Sequence, residues 1–185
     1  PRSLRMREDF SIGVLGLGVL GGAVAQALAK FGFTVSGWSR TPKTIEGVRC
    51  AHGSTGFDSV LAGSELLLVF LPLTGDTDGL LDSDALARLP EGAALANLSR
   101  GELVDDEALL EALDSGWLSE AYLDVFNREP LPREHRYWTH RQVRMTPHVA
   151  ALTPYSTACA QVADKIRRLQ VGESITGVVD RVRGY

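Results

Sequence analysis

Apolar and polar positions change period several times along this chain, and each change predicts a new element. "FSIGVLGLG" (10–18) is a short apolar run ending in glycines and predicts a strand. From Gly22 to Lys30 the spacing becomes helical and closes at Gly32. "FTVSGWSR" (33–40) predicts a second strand, and "SVLAGSELLLVFLP" (59–72) a short helix followed by a strand from Leu66 to Leu71. That strand is apolar on both faces, as a central parallel strand should be. "DSDALARLPEGAALANLSRG" (82–101) predicts a helix and a strand ending at Ser99. "LVDDEALLEALDSGWL" (103–118) is strongly amphipathic, with Asp105 and Asp106 near its start and Gly116 at its end. "EAYLDVF" and "VRMTPH" predict two more short strands around the polar loop "NREPLPREHRYWTHRQ". A last helix is expected from Pro154 to Gln170, before "GVVDRVRGY". Alternating strands and helices with short connections point to an α/β fold, a doubly wound parallel sheet.

One segment has a competing reading. From Ser11 to Ala29 there is no charged residue, and Arg2, Arg5 and Arg7 precede it, as before a membrane anchor. Its glycines argue against an anchor. Gly13, Gly16, Gly18, Gly21 and Gly22 crowd one half, and each costs a helix interior about 1 kcal/mol relative to Ala. The reading is strand, turn, helix. Composition agrees: the 185 residues are 44% hydrophobic and 23% charged, with mean hydropathy near zero. That suits a globular domain with a sizeable core and no membrane partner. A formal net charge of −4 gives no basic excess for a nucleic-acid partner. Cys50 and Cys159 lie far apart and near no metal-like cluster, so no metal is expected and a reducing, cytoplasmic compartment is. The chain begins with Pro1, as a piece or processed product would.

Gly16-Leu17-Gly18-Val19-Leu20-Gly21 fits G-x-G-x-x-G between a strand and a helix. Gly16 suits the tight turn, Gly18 the approach of a pyrophosphate, and Gly21 close packing of helix on strand. The helix N-terminus offers free N–H groups to the anion. A glycine-rich turn can also be purely structural, so the next strand matters. A site for NAD usually ends that strand with an acid for the ribose 2′-hydroxyl. Here Ser39 and Arg40 stand there, with Lys43 close behind, which suits a 2′-phosphate and hence NADP, with NAD possible. A guanidinium–phosphate contact is worth about 1.5–3 kcal/mol. Ordinary surface cations on a solvated turn are the alternative.

Three further strand ends carry chemistry. Arg100 follows one, where a guanidinium can clamp a carboxylate bidentately and polarise an adjacent carbonyl. Glu129 lies in the loop after the next, and His148 follows the last. Singly, each has a dull reading: a helix-flanking cation, a loop carboxylate and a partly buried histidine.

Together, "GLGVLG", "LPLTGDTDGLL", "NLSRGELVDDEALLEAL", "LDVFNREPLP" and "TPHVAALT" resemble, in order, the motifs of the D-isomer-specific 2-hydroxyacid dehydrogenases over nearly the whole chain. The "WSRTPK" turn and "VDRVRGY" ending resemble the branch acting on glyoxylate and hydroxypyruvate. The resemblance implies a Rossmann domain (11–153) that binds NADPH in an oxidoreductase reducing a small 2-keto acid to the 2-hydroxy acid. Arg100 would bind the substrate carboxylate, and His148 would donate the proton to the reduced carbonyl. Glu129 would hold His148 and favour its protonated form. Val19, Leu20, Leu71, Pro72, Thr77, Leu98, Ser99, Asp124 and Ala150 would join Gly16, Gly18, Gly21, Ser39, Arg40 and Lys43 around the cofactor. Family members usually form homodimers through this domain. They also carry an N-terminal segment forming most of a second, substrate-side domain. Residues 1–10 would be a remnant of the linker to it, and 154–185 a helix and tail returning to it. A phosphoglycerate or other D-2-hydroxyacid dehydrogenase is an alternative, as is a nicotinamide-binding regulatory module. A pure sensor would not need the Arg–Glu–His set.

Overall fold

A computed structural model describes residues 6–181. The start of the expected linker and the last four residues of "VDRVRGY" lie outside the described residues. The chain divides into two compact units, Pro1–His148 and Val149–Tyr185.

The first unit runs β1 (Ser11–Leu15), α1 (Val19–Lys30), β2 (Thr34–Trp38), β3 (Val48–Ala51), α2 (Gly53–Ala62), β4 (Leu66–Val69), α3 (Ser83–Leu86), β5 (Ala93–Asn97), α4 (Asp106–Asp114), β6 (Leu118–Leu123) and β7 (Val143–Met145). All seven strands are parallel, in the order β3-β2-β1-β4-β5-β6-β7. Strand alternation divides the core. Ile12 and Val14 of β1 pack with Ala25 of α1, whereas Leu15 joins Phe57, Val60 and Leu61 of α2. Helices therefore cover both faces, as a doubly wound sheet requires. The second cluster continues through α3 and α4, where Leu86, Leu109, Leu110 and Leu113 are fully buried. Each such leucine contributes roughly 1.5–3 kcal/mol of transfer free energy. Asp105 caps α4, its carboxylate accepting from the Ala108 N–H at 2.9 Å. A cap of this kind is worth about 1 kcal/mol.

Three features differ in detail from the sequence expectations. β3 was not foreseen; it is a four-residue edge strand with an exposed Arg49 and no fully buried residue, too short to stand out. α1 begins at Val19, directly after Gly18, rather than at Gly22. Val19 and Leu20 are exposed, so the first turn carries no packing stripe to read. β6 begins at Leu118 and ends at Leu123, earlier than "EAYLDVF" (120–126) suggests; Leu118, Ala121 and Leu123 are buried, while Ser119 and Tyr122 are exposed.

The second unit contains α5 (Tyr155–Gln170), the helix expected after Pro154, which serves as its N-cap. Its apolar positions Val162, Ile166 and Leu169 are exposed. No described helix is long and apolar enough to cross a membrane.

Candidate active site

The strand order reverses between β1 and β4, and at such a switch point the connections leave in opposite directions and open a crevice. The glycine turn sits there. Gly16 has φ +98°, a left-handed conformation, and a Cβ on it would meet the Phe70 carbonyl oxygen at 2.6 Å. A Cβ on Gly21 would lie 1.9 Å from the Gly16 carbonyl oxygen, so glycine is needed for α1 to start so close to its strand. Gly18 differs, because a Cβ there meets nothing within 4 Å. The turn is tight on its protein side and open at the helix N-terminus, where the first-turn N–H groups have no intrahelical partner. That cradle fits a pyrophosphate.

At the end of β2, Ser39 is buried, its N–H donating to the Ala51 carbonyl at 3.1 Å and its hydroxyl to the Thr41 carbonyl at 2.8 Å. The turn is thereby fixed, and Arg40 and Lys43 project from it, exposed. A guanidinium nitrogen of Arg40 lies 3.9 Å from an Asp76 carboxylate oxygen. Past β4, Leu71 is buried and Pro72 half-buried. Thr77 accepts from the Thr74 N–H at 2.8 Å and donates to the Pro72 carbonyl at 2.7 Å, so its hydroxyl shapes this loop. The Ser99 hydroxyl, past β5, donates to the Leu71 carbonyl, joining the two strand ends beside Leu98. Past β6, Asp124 is buried and accepts a hydrogen bond from the Thr146 hydroxyl. Ala150 lies in the second unit.

Because all strands are parallel, Arg100, Glu129 and His148 follow the C-terminal ends of β5, β6 and β7 and reach one edge. His148 Nδ1 lies 2.8 Å from Glu129 Oε2, and the Phe126 N–H donates to Glu129 Oε1 at 3.1 Å. The hydrogen bond from His148 holds the Glu129 carboxyl below the usual carboxylate range. The Phe126 N–H and the charges of His148 and Arg100 add to it against partial desolvation. An ionised carboxylate only accepts, so Nδ1 carries a hydrogen and Nε2 is left for chemistry. His148 has φ +55°, uncommon for a residue other than glycine and frequent at functional sites. A cavity of about 460 Å³ opens beside the pair, walled by Phe126, Leu131, Trp138 and Met145.

Sequence reasoning passed over two residues here. A Cβ on Gly101 would lie 2.0 Å from the Phe126 carbonyl carbon and 2.2 Å from the Asn127 nitrogen. Glycine therefore lets the turn carrying Arg100 press against the loop carrying Glu129. Asn97, the last residue of β5, is buried and turns its amide onto the Ser99–Arg100 backbone. The only sequence signal was an Asn two residues before a strand-end serine, an Asx-turn pattern.

Residues 3–150 match the family model described as D-isomer specific 2-hydroxyacid dehydrogenase, NAD binding domain. Two curated relatives, from Salmonella paratyphi B and Serratia proteamaculans, are both named glyoxylate/hydroxypyruvate reductase A. The chain is 46% identical to the first over 97% of its length and 45% identical to the second over 100%. It spans 57% and 59% of those relatives' own lengths. Among solved structures, a D-isomer specific 2-hydroxyacid dehydrogenase from Xanthobacter autotrophicus, in complex with NADPH and MES, superposes with a TM-score of 0.95. It is 49% identical, over 98% of this chain and 75% of that one. An NADPH-dependent glyoxylate/hydroxypyruvate reductase from Sinorhizobium meliloti, with NADP and sulfate, also gives 0.95 at 39% identity, over 100% of this chain and 60% of that one. A match over most of the chain, on a fold whose strand ends gather the glycine turn and the Arg–Glu–His set, places the chain in the D-isomer specific 2-hydroxyacid dehydrogenase family, as its NAD-binding domain.

Proposed function

We propose that this chain is the cofactor-binding part of an NADPH-preferring reductase that converts glyoxylate or hydroxypyruvate to the 2-hydroxy acid. The observation that carries the reading is the 2.8 Å pair of His148 and Glu129, on the same sheet edge as Arg100 and the glycine turn. The names of the curated relatives and the NADPH and NADP in the related crystals support it. A homodimer in the cytoplasm belongs to the same proposal.

The glycine turn at Gly16, Gly18 and Gly21, with the N–H groups of Val19 and Leu20, would hold the pyrophosphate, and Arg40 and Lys43 the 2′-phosphate. When bound, the nicotinamide supplies the hydride. The protein's own residues do the rest. Arg100 binds and orients the keto acid by its carboxylate. Glu129 fixes the ring of His148 through Nδ1, and Nε2 holds the proton that the carbonyl oxygen takes up as it is reduced. Steady-state oxidation of NADPH with glyoxylate and hydroxypyruvate, by the full-length protein, tests the reading. Absence of turnover with either acid would overturn it.

Cofactor choice gives one expected result. Arg40 faces Asp76 at 3.9 Å, but that carboxylate is 86% exposed, and such a pair is worth about 0.2–1 kcal/mol. A 2′-phosphate offers about 1.5–3 kcal/mol and wins the guanidinium. NADPH should bind about ten- to a hundred-fold more tightly than NADH, and Arg40→Ala should remove most of the difference. Calorimetric titration of both cofactors checks this; equal affinities in the parent would refute it.

The pair also sets a pH dependence. Glu129 has a lowered pKa, so its contribution to the pair is present above the ordinary carboxylate range. It is lost only as pH falls through the lower, folded-state value. The ionised carboxylate accepts the Nδ1 hydrogen and holds the ring of His148 in one orientation. Protonation of Glu129 at low pH loosens that hold, so kcat/KM of the parent should fall on the acid side as Glu129 titrates, below the ordinary carboxylate range. Glu129→Gln should lower kcat/KM near neutral pH and remove that acid limb. An unchanged profile of kcat/KM against pH would remove Glu129 from the mechanism.

A further inference from the structure

Asn97 is 1% exposed at the end of β5, and both the nitrogen and the oxygen of its side-chain amide are hydrogen-bonded. Its Nδ2 donates to the Arg100 carbonyl at 2.7 Å, and its Oδ1 accepts from the Ser99 N–H at 3.2 Å. One rigid amide therefore spans the turn from β5 to Arg100. The Asn97 carbonyl accepts from the Asp124 N–H at 3.1 Å, which ties the strand end to β6. On one side the Ser99 hydroxyl holds the turn to Leu71, and on the other Gly101 abuts Phe126 and Asn127. The Arg100 guanidinium is exposed and donates to the Ser99 carbonyl at 2.6 Å, a group of the same turn. Its reach is thus set by a backbone that Asn97 grips from beneath.

We propose that Asn97 is the positioning residue for Arg100, its buried amide setting the turn from which the guanidinium meets a substrate carboxylate. The proposal rests on the reading of Arg100 as the carboxylate clamp. Asn97 does not touch substrate, and its effect passes through the Arg100 backbone. The residue type is demanded by the two partners: the carbonyl needs a donor and the N–H an acceptor, and only a side-chain amide of this length offers both. Aspartate would keep the acceptor for Ser99 but set an oxygen against the Arg100 carbonyl. A bidentate clamp depends on orientation, so a small rotation of the turn weakens it more than it weakens anything at β1.

The test is a double-mutant cycle in the full-length protein, with NADPH and glyoxylate. Asn97→Asp should raise KM for glyoxylate about ten-fold or more, with kcat changed by less than about three-fold and a smaller loss of NADPH affinity, because Leu98 and Ser99 of the same turn are also expected near the cofactor. In an Arg100→Ala background the same substitution should leave KM where Arg100→Ala alone puts it. Additive effects in the cycle, or an equal loss of NADPH binding, would overturn the proposal and make Asn97 merely structural. Should Asn97→Asp not fold, Asn97→Ala removes both the Nδ2 donor and the Oδ1 acceptor without adding a charge or a new polar group, and carries the same comparison. Amide hydrogen exchange provides a readout apart from turnover: residues 98–101 should exchange faster in the variant, with the glycine turn unaltered. Unchanged exchange there would also overturn it. A parent that reduces no 2-keto acid would instead sink the reading of Arg100 as a clamp, while exchange still decides whether Asn97 holds the turn.

Discussion

Replacing His148 by Asn is expected to lower kcat about 10²–10⁴-fold, with little change in the affinity for NADPH. Asn is the informative substitution because the backbone at His148 has φ +55°, which Asn tolerates far better than Ala. The backbone is then preserved and the loss reports the missing proton donor. In the parent, Nδ1 is committed to Glu129 at 2.8 Å, so the ring has one orientation and presents Nε2. An Asn side chain cannot hold an extra proton there near neutral pH. Cofactor affinity should survive because the glycine turn and the Arg40 turn stand at the ends of β1 and β2, across the sheet from β7. Steady-state kinetics and calorimetric titration with NADPH measure the two halves. A kcat within about three-fold of the parent would remove His148 from the chemistry. A collapse of NADPH binding would show that the substitution had damaged the domain.

The parts of this molecule that sequence reveals are those in which a residue's role is local. The period change at Gly16–Gly21 announces a strand, a turn and a helix, because glycine is costly in a helix and cheap at φ +98°. The apolar runs of β1, β4 and β5 announce parallel strands because no residue of the three is exposed. Once every strand is parallel, Arg100, Glu129 and His148 must share an edge, and the 2.8 Å hydrogen bond between the last two follows from loops that return to it. What escapes is tertiary. Asn97 looks like any polar strand end until the turn folds back over it. Gly101 looks like a spacer until the loop after β6 closes to where its Cβ would stand. β3 escapes for a different reason. It is an edge strand, its pairing to β2 supplied by backbone hydrogen bonds rather than by an apolar pattern of its own.

The 185-residue chain alone is expected to bind NADPH but to reduce glyoxylate far more slowly than ordinary enzymes work. Binding should survive because the residues expected around the cofactor, Ala150 apart, lie within one unit with its own buried core, Pro1–His148. Catalysis asks for more. The keto carbon must be held about 3–3.5 Å from the hydride donor in a site closed to water, and such positioning supplies roughly 7–11 kcal/mol of barrier lowering. In this chain the side chain of His148 is 49% exposed and that of Glu129 38%, and Arg100 is exposed as well. Exposure weakens the clamp in a calculable way. A guanidinium and a carboxylate 4 Å apart attract by about 1 kcal/mol in bulk water and about 4 kcal/mol at an effective dielectric constant near 20. The difference, about 3 kcal/mol, already exceeds a hundred-fold in affinity. The relatives are longer than this chain, and closure of a second domain over a cleft is the common way to exclude that water. Calorimetry should therefore record saturable NADPH binding while NADPH oxidation with glyoxylate stays well below about 1 per second. Turnover at or above that rate would mean that the exposed edge of this domain is sufficient for catalysis, and that exclusion of water contributes little here.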